Sequence, residues 1–190
     1  IHPKNYSNGF MFCFHMMVTN FKGVYDGLLL FKLTSIVSGV YLSCILQKDK
    51  IIFSVAKNMG VTIDVGIPVN EWFRLSISFR SWGNIYVLLN GNLAGITCIS
   101  KIEWTEFFNK NVLFGAGIGF VECQLSRFAI FENHPTLNKD FNITDIQAIY
   151  NIATFIIDSQ SYFVDESNEK YQLYNISARS EPNTSFTFDG

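Results

Sequence analysis

From Phe10 to Ile130 the chain is a succession of short apolar or alternating runs cut by Gly, Asn and Asp, with scarcely a stretch at helical period. This pattern predicts strands. The series opens at 10–16 and continues at 28–33, 40–46 and 51–55, at the intervals of about 8 to 12 residues expected of a β-sandwich. Gln47-Lys48-Asp49-Lys50 is a polar turn between two of these runs, and a further short strand at 61–65 precedes a loop containing Pro68. Residues 72–79 alternate strictly. Phe73, Leu75, Ile77 and Phe79 fall on one side and face a core, while Trp72, Arg74, Ser76 and Ser78 fall on the other. The strand at 85–89 runs into Asn90-Gly91, the strongest short-range hairpin signal, and 93–99 returns. Leu88, Phe128 and Ile130 join the predicted core from neighbouring strands.

Beyond Pro135 the pattern changes. Residues 144–150 place Ile146, Ile149 and Tyr150 on one helical face behind caps at Asn142 or Thr144, which predicts one short helix against the sandwich. The remainder, 152–190, offers apolar runs at 154–157, 161–164 and 186–188 separated by polar loops, and reads as a C-terminal extension or closing strands. There is no internal repeat and no low-complexity tract.

Composition narrows the class. At 190 residues, 48% hydrophobic and 16% aromatic, with nineteen Phe and only four Pro, the chain can bury a large core, and one domain over 1–190 is the expected organisation. A net charge of −2 from fourteen basic and sixteen acidic residues, with no Lys/Arg cluster, argues against nucleic acid as a partner. Apolar runs such as Gly27 to Phe31 are cut well short of the roughly 18 residues of a membrane span, so no transmembrane segment is expected. The chain opens Ile1-His2-Pro3-Lys4, without an initiator Met, a basic leader or an apolar leader, and position 1 reads as a cut end.

The order of pieces resembles the laminin-G-like and pentraxin-like branch of the concanavalin A-like superfamily. A first strand Gly9-Phe10-Met11-Phe12-Cys13-Phe14 precedes Val65-Gly66-Ile67-Pro68-Val69-Asn70-Glu71-Trp72-Phe73, and Ile85 to Gly95 is similar to the family's hairpin through its Asn-Gly turn. Val112 to Ala116, Leu125 to Phe131 and the 144–150 segment follow in the family's order, so the resemblance covers residues 9 to 151. It implies an all-β jelly roll of two antiparallel sheets with one short helix near the C-terminal part, and a lectin-like or adhesive role. The family's Trp position implies that Trp72 packs against the sandwich. Ser126-Arg127 and Cys123 depart from the acidic pair and the Gly usual in the penultimate strand, which removes support for a calcium ion. A calcium ion is compatible with the resemblance, yet Asp26, Asp64 and Glu122 stand alone, without an Asp/Asn-rich loop, and no cofactor is expected. The closing Phe186-Thr187-Phe188-Asp189-Gly190 resembles a strand that usually opens such a domain; here it either completes the sandwich from the far end or begins a neighbouring repeat.

Cys13, Cys44, Cys98 and Cys123 show no zinc-like spacing, and each lies in a strand-like stretch where it serves either as a buried thiol or as half of a cross-sheet disulfide. Asn5, Asn142, Asn175 and Asn183 all head N-glycosylation triplets. Taken with the resemblance, these acceptors favour an extracellular, cell-surface or lumenal location, and there two disulfides are expected, in one of three connectivities.

Candidate chemistry is sparse. A glycosidase of this superfamily needs two carboxylates about 5 to 9 Å apart. The nearest acidic group, Asp165-Glu166-Ser167-Asn168-Glu169, has the wrong order and sits outside the matching strands. His2, His15 and His134 are scattered, so no nucleophile and base pair is legible, and Gly115, Gly117 and Gly119 precede no helix. Loop aromatics remain. Trp82 falls at a hairpin tip, and Trp104, Phe107 and Phe108 fall in the polar connection 101–111, where large rings either cap the sandwich or bind. The expected function is therefore a non-catalytic recognition or adhesion module that binds a glycan or protein partner through these rim loops. Its rival is an assembly domain burying them against neighbouring domains of a larger chain or complex.

Overall fold

The computed structural model describes residues 10–21, 27–34, 41–55, 59–80, 83–99, 112–118, 121–132, 155–158, 178–181 and 185–188. Among the described residues thirteen strands run in the order β1 (Phe10–Phe21), β2 (Gly27–Thr34), β3 (Tyr41–Leu46), β4 (Lys50–Val55), β5 (Met59–Asp64), β6 (Trp72–Phe79), β7 (Asn84–Leu89), β8 (Asn92–Cys98), β9 (Val112–Ile118), β10 (Val121–Glu132), β11 (Phe155–Asp158), β12 (Ala178–Glu181) and β13 (Ser185–Phe188). They form two antiparallel sheets. The large one has the strand order β12-β13-β10-β1-β6-β7-β8 with β11 also on β10, and the small one the order β5-β4-β3-β2-β9.

Alternation makes each sheet amphipathic. Phe10, Phe12, Phe14, Met16 and Val18 of β1, with Phe73, Leu75, Ile77 and Phe79 of β6 and Phe128 and Ile130 of β10, project into one core. From the small sheet Leu28, Phe31, Leu33, Leu42, Cys44, Leu46, Ile51 and Phe53 meet them. Rings interlock across the gap: Phe12 and Phe31 lie 4.5 Å apart, Phe31 and Phe79 5.8 Å, and Phe53 and Phe79 6.0 Å. Eight phenylalanines, Phe10, Phe12, Phe14, Phe31, Phe53, Phe73, Phe79 and Phe128, belong to this core.

Two turns fix the hairpins. Asn90 and Gly91 both have positive φ, 52° and 84°, the backbone of a tight turn whose twist suits its flanking strands, and Asn90 locks it by donating its N–H to the Arg74 carbonyl at 2.8 Å. At 47–50, Gln47 N–H bonds Lys50 O at 2.9 Å, while Val65 and Ile67 donate to Asp49 and Lys48, so the chain beyond β5 runs back along that turn.

The closing strand at 186–188 falls within β13, which pairs with Cys123 to Leu125 of β10 in the large sheet. The predicted run 154–157 corresponds to β11, while β12 was not foreseen from the pattern. The helix expected over 144–150 and the run at 161–164 lie outside the described residues.

Three expectations need correction. The four cysteines are free thiols and form no disulfide. Within the sheets Cys13 stands between Ser76 and Ala129, Cys44 between Phe31 and Phe53, Cys98 beside Asn84, and Cys123 between Val18 and Phe188, so no cysteine pairs with another in register, and of the four only Cys44 and Cys123 enter the core. Trp72 does not pack into the sandwich. It takes the face of β6 opposite Phe73 and is 40% exposed. Leu88 is buried, but on that same outward face, outside the inter-sheet core.

Candidate functional site

Trp82, Trp104, Phe107 and Phe108 lie outside the described residues, as do the acceptors Asn5, Asn142, Asn175 and Asn183. The backbone that carries these rings is nevertheless placed at both ends. Arg80 N–H bonds Asn84 O at 2.8 Å, closing the connection that contains Trp82, and Ile99 N–H bonds Gly83 O at 2.9 Å. The chain entering the 100–111 connection is thereby tied to the chain leaving Trp82. The described residues that flank Trp82 and the one that precedes residue 100 thus meet at the rim of the large sheet where β6 ends, β7 begins and β8 ends. The Arg80 guanidinium sits 4.1 Å above the Tyr86 ring at this rim, a cation–π contact that holds a positive charge beside them.

The outward face of the large sheet is a second feature, and the sequence reading did not single it out. Its rows follow from register. Tyr86, Ser78, Met11 and Phe131 form one; Leu88, Ser76, Cys13 and Ala129 the next; Arg74, His15 and Arg127 a third; Trp72, Met17 and Gln124 the last. The centre is covered, since Met11, Cys13, Ser76, Ser78, Leu88, Ala129 and Phe131 are all buried. The last two rows are open: His15, Met17, Arg74, Gln124 and Arg127 are half-buried and Trp72 is exposed.

At that open end the His15 and Trp72 rings lie 5.2 Å apart, inclined at 43°. Arg74 is held at its backbone, where its N–H donates to Asn90 Oδ1 at 2.8 Å, and its Nε is buried with no hydrogen-bond partner. The strict alternation of 72–79 signalled that Trp72 and Arg74 share a face. What brings His15 and Arg127 beside them is the pairing of β1 with β6 and β10, which no local pattern reveals.

The covered centre carries no reactive group. Cys13 Sγ lies 3.2 Å from Ser76 Oγ, and burial pushes its thiol up from 9.0 to about 11 against the smaller opposing pull of that hydrogen bond and of Arg74. Burial likewise raises Cys123 to about 12 and Cys44 well above its ordinary value. Thiols held protonated are poor nucleophiles and poor metal ligands. Among the described residues no three His, Cys, Asp or Glu side chains come together as a metal site would require, and no helix is long and apolar enough to cross a membrane.

No protein-family model and no curated protein matches the sequence. Solved structures do match the fold. The receptor-binding domain of botulinum neurotoxin type G aligns at 18% identity and a TM-score of 0.50, over 77% of this chain and 38% of that one. The binding domain of botulinum neurotoxin serotype D aligns at 15% and 0.50 over 77% and 38%, and a mutant chain named HCR/D at 15% and 0.54 over 77% and 39%. The likeness is one of fold. This chain spans under two fifths of the length of those structures.

Proposed function

We propose that this chain is a non-catalytic recognition module of a secreted or cell-surface protein, binding a glycan or a protein partner through the rim that carries Trp82, Trp104, Phe107 and Phe108. The observation that supports the reading is the Ile99 to Gly83 hydrogen bond, which sets the residue before the 100–111 connection beside the residue that follows Trp82. Loops on a rigid sandwich are where such folds carry function. The fold likeness to receptor-binding domains supports the same reading; receptor binding is a property of those whole domains, and it comes to this chain as part of the proposal. The finer assignment, a laminin-G-like jelly roll forming one domain over 1–190 with Asn5, Asn142, Asn175 and Asn183 available for glycosylation, belongs to it too.

The test pairs binding with stability. Trp82→Ala or Trp104→Ala should weaken retention on a glycan array or on cell surfaces at least about tenfold and leave the thermal midpoint within a few degrees. Rings that merely cap the sandwich would instead cost about 2 kcal/mol or more of stability, with affinity per folded molecule unchanged. A second reading, assembly within a larger complex, is favoured by β8: it is an edge strand, and its Leu93 and Ile96 are 55% and 54% exposed.

A further inference from the structure

We infer that the open end of the large sheet's outward face is a second binding site, selective for acidic saccharides bearing a carboxylate or sulfate. It lies at the end of the sheet away from the Trp82 rim, since β6 runs from Trp72 at one end to Phe79 at the other, and it does not depend on the rim reading. Strands in a sheet sit about 4.8 Å apart, so the row Arg74, His15, Arg127 across β6, β1 and β10 spans roughly 10 Å, and the row Trp72, Met17, Gln124 lies about 7 Å further along. That footprint suits one or two sugar rings.

The chemistry of the patch is specific to such a ligand. An exposed tryptophan face accepts the apolar C–H face of a pyranose, and the His15 ring beside Trp72 extends that surface. Guanidinium groups recognise carboxylate and sulfate by paired hydrogen bonds, and a glutamine amide can both donate to and accept from hydroxyls. Arg74 is the anchor. Its backbone is fixed by Asn90, its Nε is buried with no hydrogen-bond partner, and its side chain is half-buried at this open end, so recognition falls to the outer guanidinium nitrogens. The opposing charges are Glu71, exposed next to Trp72 in sequence, and Asp158 and Glu122, at register positions beside Arg127 and Asn20. His15, Gln124 and Arg127 each make an interaction of their own, which leaves Arg74 and Trp72 as the decisive pair. A protein partner would call for a desolvated apolar pocket at the centre, whereas here the ring is flanked by polar groups on an open sheet.

The experiment is an array of neutral, uronate-bearing, sialate-bearing and sulfated glycans, probed at low and high salt with the wild-type chain and with Trp72→Ala, Arg74→Gln, Arg74→Lys and Trp82→Ala. Retention of acidic over neutral members, weakened by salt, is expected, and the carboxylate and sulfate arms separate the two anion sources. Trp72→Ala and Arg74→Gln should each lower this retention at least about tenfold, with partial recovery in Arg74→Lys. Trp72 is exposed, so its variant keeps the test valid should an Arg74 substitution disturb folding. A folded wild type that retains no acidic glycan, or acidic retention unchanged in Trp72→Ala, would overturn the site. Loss in Trp82→Ala alone would also overturn it while leaving the rim reading standing.

Discussion

Cys13, Cys44 and Cys123 show how burial rather than sequence context sets the chemistry of a side chain. Each thiol holds its proton more tightly in the folded chain, because the thiolate is the form that loses its hydration. The unfolded chain releases that proton from about pH 9 upward and the folded chain does not, so stability from these groups is whole below that pH and is lost as pH rises toward the folded values. For Cys13, a rise from 9.0 to about 11 corresponds to about 2 to 3 kcal/mol. Urea midpoints should therefore fall between pH 9 and 11, and fall less in Cys13→Ala; parallel curves for the two proteins would refute the assignment. Thiol titration gives a companion measurement. Cys98 is exposed, so one thiol should react in the native state and four after denaturation, whereas a disulfide-bonded chain would release fewer. Ser78 makes the converse point. Its hydroxyl is buried with no hydrogen-bond partner, so Ser78→Ala should leave stability unchanged or raise it by about 1 kcal/mol, and a clear loss in calorimetry would mean that the hydroxyl is satisfied.

Strands were legible where one face is apolar and the other polar. The 72–79 alternation assigned every residue of β6 to its correct side, and Asn90-Gly91 marked its hairpin because only a positive-φ turn closes two strands so tightly. Phe128, expected in the core, packs 4.9 Å from Phe14 and 6.0 Å from Phe12, so Phe128→Ala should cost about 3 to 5 kcal/mol in chemical denaturation. A loss under about 1 kcal/mol would contradict that packing. What stayed illegible was pairing. Nothing local says that β1 lies between β6 and β10, and that neighbourhood is what places His15 beside Trp72 and denies Cys13 a cysteine partner. The family resemblance misread Trp72 for the same reason, since a Trp at a strand start can turn to either face and only register decides. Gly95 is a further case. In sequence it is an interruption of β8, but a Cβ there would collide with the Ile63 side chain of β5, so the glycine is what lets the edges of the two sheets meet.

At the scale of the whole molecule the remaining question is what covers β8 on either side of Gly95, the point where it meets Ile63 of β5. An edge strand offers unpaired N–H and C=O groups, and natural edges are usually blunted by charge, proline or a bulge. The register of β8 against β7 does shift between Val87 and Leu88, so the strand carries an irregularity. It carries no charged residue from Asn92 to Cys98, and Leu93 and Ile96 stand more than half exposed. Tyr86 and Leu88, opposite Ile96 and Leu93, continue that apolar strip inward across the sheet. If assembly is the role, this edge should pair with another chain, and Ile96→Lys should abolish the association by setting a charge into the pairing strip while leaving the Trp72 and Trp82 sites unaltered. Sedimentation velocity over a range of concentrations reads the result directly. A wild type that associates and an Ile96→Lys variant that does not, both with the same thermal midpoint, would favour assembly through β8. A chain that stays monomeric at every concentration, with glycan retention equal in both proteins, would leave recognition through the large sheet as its role.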